Sequence, residues 1–282
     1  MRYNNNIKGI KYIIYASLCF SIMSSCIKIL LDEHSVIEII FLRSCVAICI
    51  LIPLLRFRVL NLKKTYFKFH FFRTILGLSA MFFTFTALKH VPLSNVTIIN
   101  FSKVFFIIPL AVLFLKEDIN VNAIFYILLG FFGVMITIGV ELQSKSDFIF
   151  YIYALIGAFL MALVKIFIKK ISYIEKSLHI QFWFSFLSCL FLIIPYLLMA
   201  KYPSWPSILF IIIATIFGLL AQFFTIEGLR VGKSTIVMPF DFFRVIFASI
   251  IGISIFSENI TLLFILGSSL ILITGIQLSK MN

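Results

Sequence analysis

Four charged residues inside apolar stretches are the strongest candidates for chemistry in this sequence. Asp241 and Arg244 stand three residues apart in "MPFDFFRVIF", so both lie on one face of a helix. They either neutralise each other, or Asp241 contacts an amine or a proton while Arg244 holds a carboxylate or phosphate in its planar fork. Lys103 and Arg43 are two further bases in apolar surroundings. These residue types predict the binding of a charged small molecule.

Depth within the apolar stretches decides how each base is interpreted. An ionisable side chain in the middle of a membrane costs about 2.5–3.5 kcal/mol on insertion scales, so a binding role is its first interpretation. Lys103 lies too deep for its ammonium to reach the headgroups easily, which leaves a cavity position or a structural ion pair. Arg43 either contacts a ligand or anchors neighbouring helices. Lys28 and Lys165 stand nearer to the ends of their stretches, where snorkelling is favoured and a cavity position is the second choice.

The sign of these charges predicts the class of ligand. Five bases and one clear acid, Asp241, lie within apolar stretches. A cavity with this balance favours an anionic or carboxylate-bearing molecule and repels lipophilic cations. The four histidines are scattered, the five cysteines lie in apolar stretches, and "GLRVGKST" has one residue too few between its glycines for a nucleotide loop. We therefore expect no enzyme activity, no cofactor and no metal site.

The composition requires a lipid environment for the elements that position these residues. Of the 282 residues, 62% are hydrophobic and 12% are charged, and the mean hydropathy is +1.14. Soluble domains carry about 25% charged residues. A membrane-spanning helix needs about 20 mostly apolar residues, and the chain divides into ten of them, which predicts an all-α membrane protein. Their predicted limits are 9–31, 36–55, 70–89, 95–115, 121–140, 147–168, 178–199, 206–229, 234–256 and 260–278.

The distribution of Lys and Arg predicts the orientation of these spans. The net charge is +13, and 16 of the 24 bases fall at the chain termini and in loops on one side, against 3 on the other. Short loops rich in Lys and Arg face the cytoplasm. Both termini are therefore predicted to be cytoplasmic, and the positive charge reports topology rather than nucleic-acid binding.

Two segments with matching landmarks predict an internal repeat. These are "ALKHVPLSNVTIINFSKVFFIIPLAVLFLKEDI" (87–119) and "GLRVGKSTIVMPFDFFRVIFASIIGISIFSENI" (228–260), which end near Glu117 and Glu258. Five spans in each half is an odd number, so the repeats 1–143 and 144–282 must be inverted relative to each other. Inverted repeats are typical of secondary transporters, whose substrates bind near the midplane between the halves.

Three stretches carry a specific family resemblance. "FFRTILGLSAMFFTFTALKHVPLSN", "IPLAVLFLKEDI" and "MPFDFFRVIFASIIGISIFSENI" are similar to the drug/metabolite transporter superfamily, EamA branch. The resemblance covers nearly the whole chain and implies a ten-span carrier of small metabolites in a bacterial inner membrane. The family commonly has a small residue followed by Pro at the positions of Lys103 and Val104, so this sequence departs from the pattern at its deepest lysine.

The resemblance leaves several functions open. Family members carry amino acids, vitamins, nucleotide-related molecules and drugs. A carrier of a small polar metabolite, coupled to protons or to a counter-substrate, is the first expectation. The alternatives are an S-adenosylmethionine uptake carrier and an exporter of amino acids or other metabolites. A membrane enzyme outside the transport class is a further alternative, against which the repeat and the lack of catalytic groupings count. The oligomeric state stays open.

Overall fold

A computed structural model describes residues 2–55, 64–116, 122–139, 145–199, 203–259 and 261–281. The secondary structure of these residues is helical throughout, with short turns between the helices. The helices are α1 (Arg2–Leu30), α2 (Val36–Leu54), α3 (Lys64–His90), α4 (Leu93–Phe101), α5 (Lys103–Leu115), α6 (Asn122–Gly139), α7 (Lys145–Ser172), α8 (Ser177–Met199), α9 (Trp205–Val231), α10 (Ser234–Val237), α11 (Phe243–Phe256) and α12 (Leu262–Met281).

Ten apolar segments among the described residues correspond to the ten predicted spans. Eight are long and apolar enough to cross a membrane, and two of these combine consecutive helices, α4 with α5 and α10 with α11. The fifth and tenth segments are shorter, at Ile124–Ile136 and Leu262–Gln277. The prediction of an all-α membrane fold is therefore confirmed. The clearest differences in limits are two early starts: α1 begins at Arg2 rather than near residue 9, and α3 begins at Lys64 rather than near residue 70.

Both composite spans are interrupted near their middle. The fourth span breaks at Ser102, whose N–H donates to the carbonyl of Ile99 in a tightened 3₁₀-type turn. The ninth span changes to a 3₁₀ turn over Met238–Phe242, where Pro239 lacks the N–H that a continuous α-helix needs. Irregular backbone inside a membrane is tolerated where it is buried in protein or lines a cavity. The two breaks therefore mark the place to look for a site.

The helices pack across the two halves of the chain in matching pairs. α1 packs along α9, and α3, the counterpart of α9, packs along α7, the counterpart of α1. α2 pairs with α8 and α6 pairs with α12, so each of these helices contacts its own counterpart. Exchanging the halves leaves this set of pairs unchanged. Each helix and its counterpart lie five places apart in the order of the spans, which is an odd number. The second half therefore runs through the membrane in the opposite sense, as the repeat predicts.

Close backbone approach between α1 and α9 joins the halves. A Cβ atom added to Gly9 would lie 3.1 Å from the carbonyl oxygen of Gly228, and one added to Gly228 would lie 3.1 Å from the carbonyl oxygen of Gly9. Small residues at crossing points let membrane helices pack backbone to backbone, which replaces the hydrophobic driving force that lipid cannot supply. This tight crossing holds the cavity wall formed by α1 against the second half.

Candidate binding cavity

A cavity of about 870 Å³, counting its opening, lies between the two halves. Helices of both repeats contribute to its wall. Its basic lining residues are Arg43, Arg73, Lys103, Lys165 and Arg244. Its neutral polar lining residues are Ser24, Thr84, Thr97, Asn100 and Gln222. None of the described residues that line it is acidic. All charged groups in this described lining are therefore positive.

Lys103 and Asp241 form an ion pair across the two halves. Lys103 is the first residue of α5, directly after the break at Ser102, and Asp241 lies in the 3₁₀ turn of the ninth span. The other carboxylate oxygen of Asp241 accepts a hydrogen bond of 3.0 Å from Ser17 Oγ. The sequence left two roles open for Lys103, and it has both: it lines the cavity and it forms a structural ion pair. Asp241 stands behind Lys103 and does not itself line the cavity.

Arg244 reaches the cavity without forming the ion pair with Asp241 that its spacing allowed. Its Nη2 atom donates to Ser24 Oγ at 3.2 Å, and its guanidinium carbon lies 4.6 Å from the ring centroid of Phe20. Its Nε atom has no hydrogen-bond partner within the part of the chain that the structure describes. A further bond, from Ser21 Oγ to the Arg244 carbonyl at 3.1 Å, holds the backbone of α11 against α1. Arg244 therefore keeps donor capacity for a ligand.

Lys165 lies in the cavity, although the sequence favoured snorkelling. Its side chain is buried, and its ammonium nitrogen lies 5.4 Å from the centroid of Phe20, on whose ring Arg244 also packs. The difference arises because α7 turns this residue toward the other half rather than toward lipid. It lines the same cavity as Lys103, Arg73 and Arg244.

Arg43 occupies another part of the cavity wall. Its Nη2 atom lies 3.1 Å from Met23 Sδ, and its guanidinium carbon lies 5.9 Å from the centroid of Phe85. The Nε and Nη1 atoms have no partner among the described residues. The Nη2 atom also lies over Gly218 of α9, where an added Cβ would come within 2.5 Å of it. Arg43 is thus held by soft and aromatic contacts and keeps two donor nitrogens free for a ligand.

Arg73 is a site residue that the sequence analysis did not single out, because it lies only three residues after the predicted start of the third span at residue 70. The early start of α3 places it well inside a helix, where it is 1% exposed. Its Nη2 atom donates to Gln222 Oε1 at 2.9 Å, and its guanidinium carbon lies 4.4 Å from the Phe184 centroid. Its Nε and Nη1 atoms are unpartnered within the described ranges. The apolar stretch that follows it, TILGLSAMFF, was the signal that a helix had already begun.

Lys28 lies outside the cavity, which corrects its place among the candidates. Its ammonium is 2.6 Å from Glu258 Oε1. Glu258 also accepts hydrogen bonds from the backbone N–H groups of Leu93 (2.5 Å) and Ser94 (3.1 Å) and from Ser94 Oγ (2.7 Å). The carboxylate therefore caps the N-terminus of α4, where a negative charge is stabilised by the helix dipole. Glu117, the counterpart of Glu258 in the first repeat, lies outside the described residues.

The environment of Glu258 sets its protonation. Burial raises the pKa of this carboxyl, but the hydrogen bonds from Lys28, Ser94 and the backbone N–H groups outweigh burial and bring the pKa below its ordinary value. Glu258 is consequently ionised at neutral pH. In its pair with Lys28, one negative charge is matched by one positive charge.

A smaller chamber of about 410 Å³ adjoins the main cavity. Arg43, Met81, Phe184 and Gln222 line both spaces and form the partition between them. The chamber's remaining polar lining is neutral and consists of Ser44, Gln181, Ser185 and Thr215. The positive charge of the site is therefore concentrated in the main cavity.

The arrangement suits binding rather than reaction. Five bases, four of them buried and Arg244 partly buried, line one space, and Asp241 is the one acid in contact with any of them among the described residues. Arginine forks bind carboxylates and phosphates through paired hydrogen bonds, and a lysine adds a point charge. The described lining residues supply donors for an anion and no nucleophile paired with a base.

Comparisons with known proteins agree with the membrane-transporter fold. The chain aligns over 286 residues with an uncharacterized transporter of Helicobacter pylori strain J99 at 25% identity, covering 98% of this chain and 96% of that protein. It is 24% identical over 227 residues to the S-adenosylmethionine uptake transporter of Rickettsia felis, covering 78% of this chain and 75% of the relative. A solved crystal structure superposes with a TM-score of 0.71 at 14% identity, over 99% of this chain and 97% of that one, which shows a shared fold.

The sequence profile of one family matches twice along the chain. The matches cover residues 7–139 and 148–279, so each half of the molecule carries one copy. The family resemblance predicted from the sequence is thereby confirmed, and so is the expectation that the protein is not an enzyme. The chain belongs to the EamA-like transporter family, whose members transport small metabolites across membranes.

Proposed function

We propose that the protein is a secondary transporter of a small anionic metabolite that carries a carboxylate or phosphate group. One observation carries the proposal: five basic side chains, four of them buried and that of Arg244 partly buried, line a cavity whose described lining has no acid. A cation would be repelled from such a space, whereas an anion gains charge-assisted hydrogen bonds from donors that have no other partner. Lys103, Arg244 and Arg43 contact the substrate, and Asp241 acts through Lys103.

Transport proceeds by alternating access between the repeats 1–143 and 144–282. The ion pair of Lys103 with Asp241 and the cap of Glu258 on α4 both join one half to the other, so rocking of the halves must rearrange them. A proton or a counter-substrate provides the coupling. The excess of Lys and Arg on one side supports cytoplasmic termini in a bacterial inner membrane.

The test begins with a comparison of metabolite levels, because this measurement requires no prior guess of the substrate. Metabolite levels are compared in cells with and without the protein, and each anion that changes is assayed for uptake into liposomes containing the purified protein. We expect anions to dominate the set. A set made up only of cations or neutral molecules would refute the proposal.

Site variants test the residues in the same liposomes. Lys103→Ala and Arg244→Ala are expected to reduce uptake at least about tenfold, since each removes a charge-assisted contact with the substrate. The matched control is Lys89→Ala, which removes an exposed lysine at the end of α3 and is expected to retain wild-type uptake. Unchanged uptake in both cavity variants at equal protein levels would disprove this site.

S-adenosylmethionine uptake is the second candidate function, and the Rickettsia felis relative favours it. In that case Arg244 would hold the carboxylate of the substrate, and Asp241 would have to exchange Lys103 for the substrate's amino group. Uptake of radiolabelled S-adenosylmethionine by a transport-deficient host tests this directly, and uptake no higher than in the vector control removes it. Export of an amino acid or another metabolite is the third candidate, which outward flux from preloaded liposomes would detect.

A further inference from the structure

Lys165 lines the cavity together with other basic residues, a position that its sequence did not indicate. It contributes from α7, whereas Lys103, Arg73 and Arg244 belong to three other helices, and Lys165 and Arg244 pack on the same Phe20 ring. Arg43 is not part of this group, because it lies against Met23 and Phe85 in another part of the wall. The cavity therefore has one dense basic cluster, consisting of Lys165, Lys103, Arg73 and Arg244, and a separate arginine.

The charge of this cluster is only partly compensated. Asp241 is engaged by Lys103 and Ser17, and it is the one acid in contact with any of these four basic side chains among the described residues. Buried cations that lack a counter-charge repel one another strongly, because protein and lipid screen them less than water does. A ligand with one negative charge leaves most of this repulsion in place. A ligand group with two negative charges removes more of it.

The free hydrogen-bond donors of the cluster match such a group. Arg73 Nε and Nη1 and Arg244 Nε have no partner among the described residues. The Lys165 ammonium forms no ion pair within the same ranges and rests against the Phe20 ring. These donors come from three helices and suit the three oxygens of a phosphate monoester or the oxygens of two neighbouring carboxylates.

We propose that Lys165, Arg73 and Arg244 form a subsite for a doubly charged oxyanion group of the substrate, a phosphate monoester or a pair of neighbouring carboxylates. Lys165 is the specificity-determining residue, since it lines the cavity with the other bases and forms no ion pair among the described residues, whereas Lys103 is paired with Asp241. The inference rests on the proposed function, which requires an anionic substrate but sets no number of charges. Arg43 then contacts a different part of the same molecule.

Inhibition of anion uptake by matched pairs of small molecules tests the charge count. Methyl phosphate and methyl sulfate have nearly the same shape, but at pH 8 the first carries close to two charges and the second carries one. Malonate and its monomethyl ester form the corresponding pair of carboxylates. Each is added to liposomes that take up the anion identified under the proposed function. We expect at least one of the doubly charged members to inhibit at a concentration roughly tenfold lower than its singly charged partner.

The outcomes separate this inference from the proposed function. If no anion is transported, the proposed function itself fails and the subsite fails with it. If an anion is transported but both members of each pair inhibit equally, or none inhibits, only the doubly charged subsite is refuted. Inhibition by methyl phosphate alone identifies the phosphate form, and inhibition by malonate alone identifies the two-carboxylate form.

The variant Lys165→Gln tests the central residue. It keeps a hydrogen-bond donor of similar length but removes the charge, so the tenfold preference for the doubly charged member is expected to disappear. The thermal unfolding midpoint of the ligand-free protein is expected to stay equal or rise, because one of the repelling cations is gone. Lys89→Gln, the same change at an exposed position, is expected to keep the preference. A preference that survives in Lys165→Gln would overturn the role of this residue.

Discussion

Two lysine–carboxylate pairs join the halves of this transporter, and they differ in how well their charges balance. At one end of the helices Glu258 forms an ion pair with Lys28 and accepts hydrogen bonds from a serine hydroxyl and two backbone N–H groups. Its negative charge is therefore fully compensated. In the middle Asp241 receives Lys103 and Ser17, while four further bases line the cavity into which Lys103 extends. The balanced pair fixes a helix end. The unbalanced pair leaves positive charge available to a ligand.

The same contrast appears between the repeats themselves. When the segments 87–119 and 228–260 are aligned end to end, Lys103 and Arg244 fall at equivalent positions, and Asp241 falls opposite Asn100. The repeat thus places a base after each mid-span break but supplies the acid only once. The two repeats share the same helix arrangement. They differ in that one has Asp241 where the other has Asn100, so the bases of the cavity outnumber the acid.

The largest effect is expected for Asp241→Asn, which removes the acid from the unbalanced pair. Lys103 would then be buried beside the other bases without a counter-charge, and breaking a buried pair in this way costs about 3–5 kcal/mol. We expect a clearly lower thermal unfolding midpoint of the purified protein and loss of uptake. A midpoint equal to that of the wild type would show that the pair does not hold the halves together.

A second substitution sharpens this result. Adding Lys103→Met to Asp241→Asn removes the stranded charge, so most of the lost stability is expected to return while uptake stays low. The double-mutant cycle thereby separates the structural contribution of the pair from its contribution to transport. Additive losses of stability would mean that the two residues act independently.

An intermediate effect is expected for the balanced pair, and it depends on pH. Because the folded-state pKa of Glu258 lies below its ordinary value, its stabilising contribution is fully present above about pH 4.3, the ordinary pKa of a glutamate, and is lost as the pH falls through the folded-state value. In Glu258→Gln this contribution, about 1–2 kcal/mol by analogy with other helix caps, is missing at every pH. Unfolding midpoints of the two proteins should differ at pH 7 and converge toward pH 3. A constant difference would refute the role of the ionised carboxylate.

The smallest effect on stability is expected for Gly218→Ala. The added methyl group would meet Arg43 Nη2 at 2.5 Å and Met23 Sδ at 3.0 Å, so the flexible end of Arg43 must move. Replacing a helical glycine by alanine gains up to about 1 kcal/mol, which offsets the crowding. We therefore expect a midpoint close to that of the wild type together with a several-fold rise in the KM for uptake. An unchanged KM would show that the position of Arg43 is not critical.

Much of the fold could be predicted from the sequence because lipid imposes strict requirements on length and polarity. Ten apolar stretches, short loops and an odd number of spans in each half were sufficient to predict a ten-helix inverted repeat. The breaks at Ser102 and near Met238 were harder to predict. Pro239 signals the second break, whereas nothing in the residues around Ser102 distinguishes a tightened turn from a continuous helix.

The site was predicted less completely. The residues next to a charged side chain in the sequence do not show which way that side chain points or which distant residue it pairs with. Lys165 was assigned to the interface by its distance from a span end, yet the face of α7 on which it lies points inward. Arg73 was not singled out because it stands near the start of the apolar run, whereas α3 begins earlier than that run indicates. Lys28 finds its partner 230 positions away in the chain, in Glu258, and no local spacing could reveal that pair.

The crossing of both pairs between the halves has a consequence for biosynthesis. Arg43, Arg73 and Lys103 enter the membrane with the first five spans, long before the ribosome reaches Asp241 and Glu258. During that interval the nascent first half holds buried bases without its acids, and α1 still lacks α9. Insertion of this protein must therefore keep the early spans in a partly hydrated or chaperoned state until the late ones arrive.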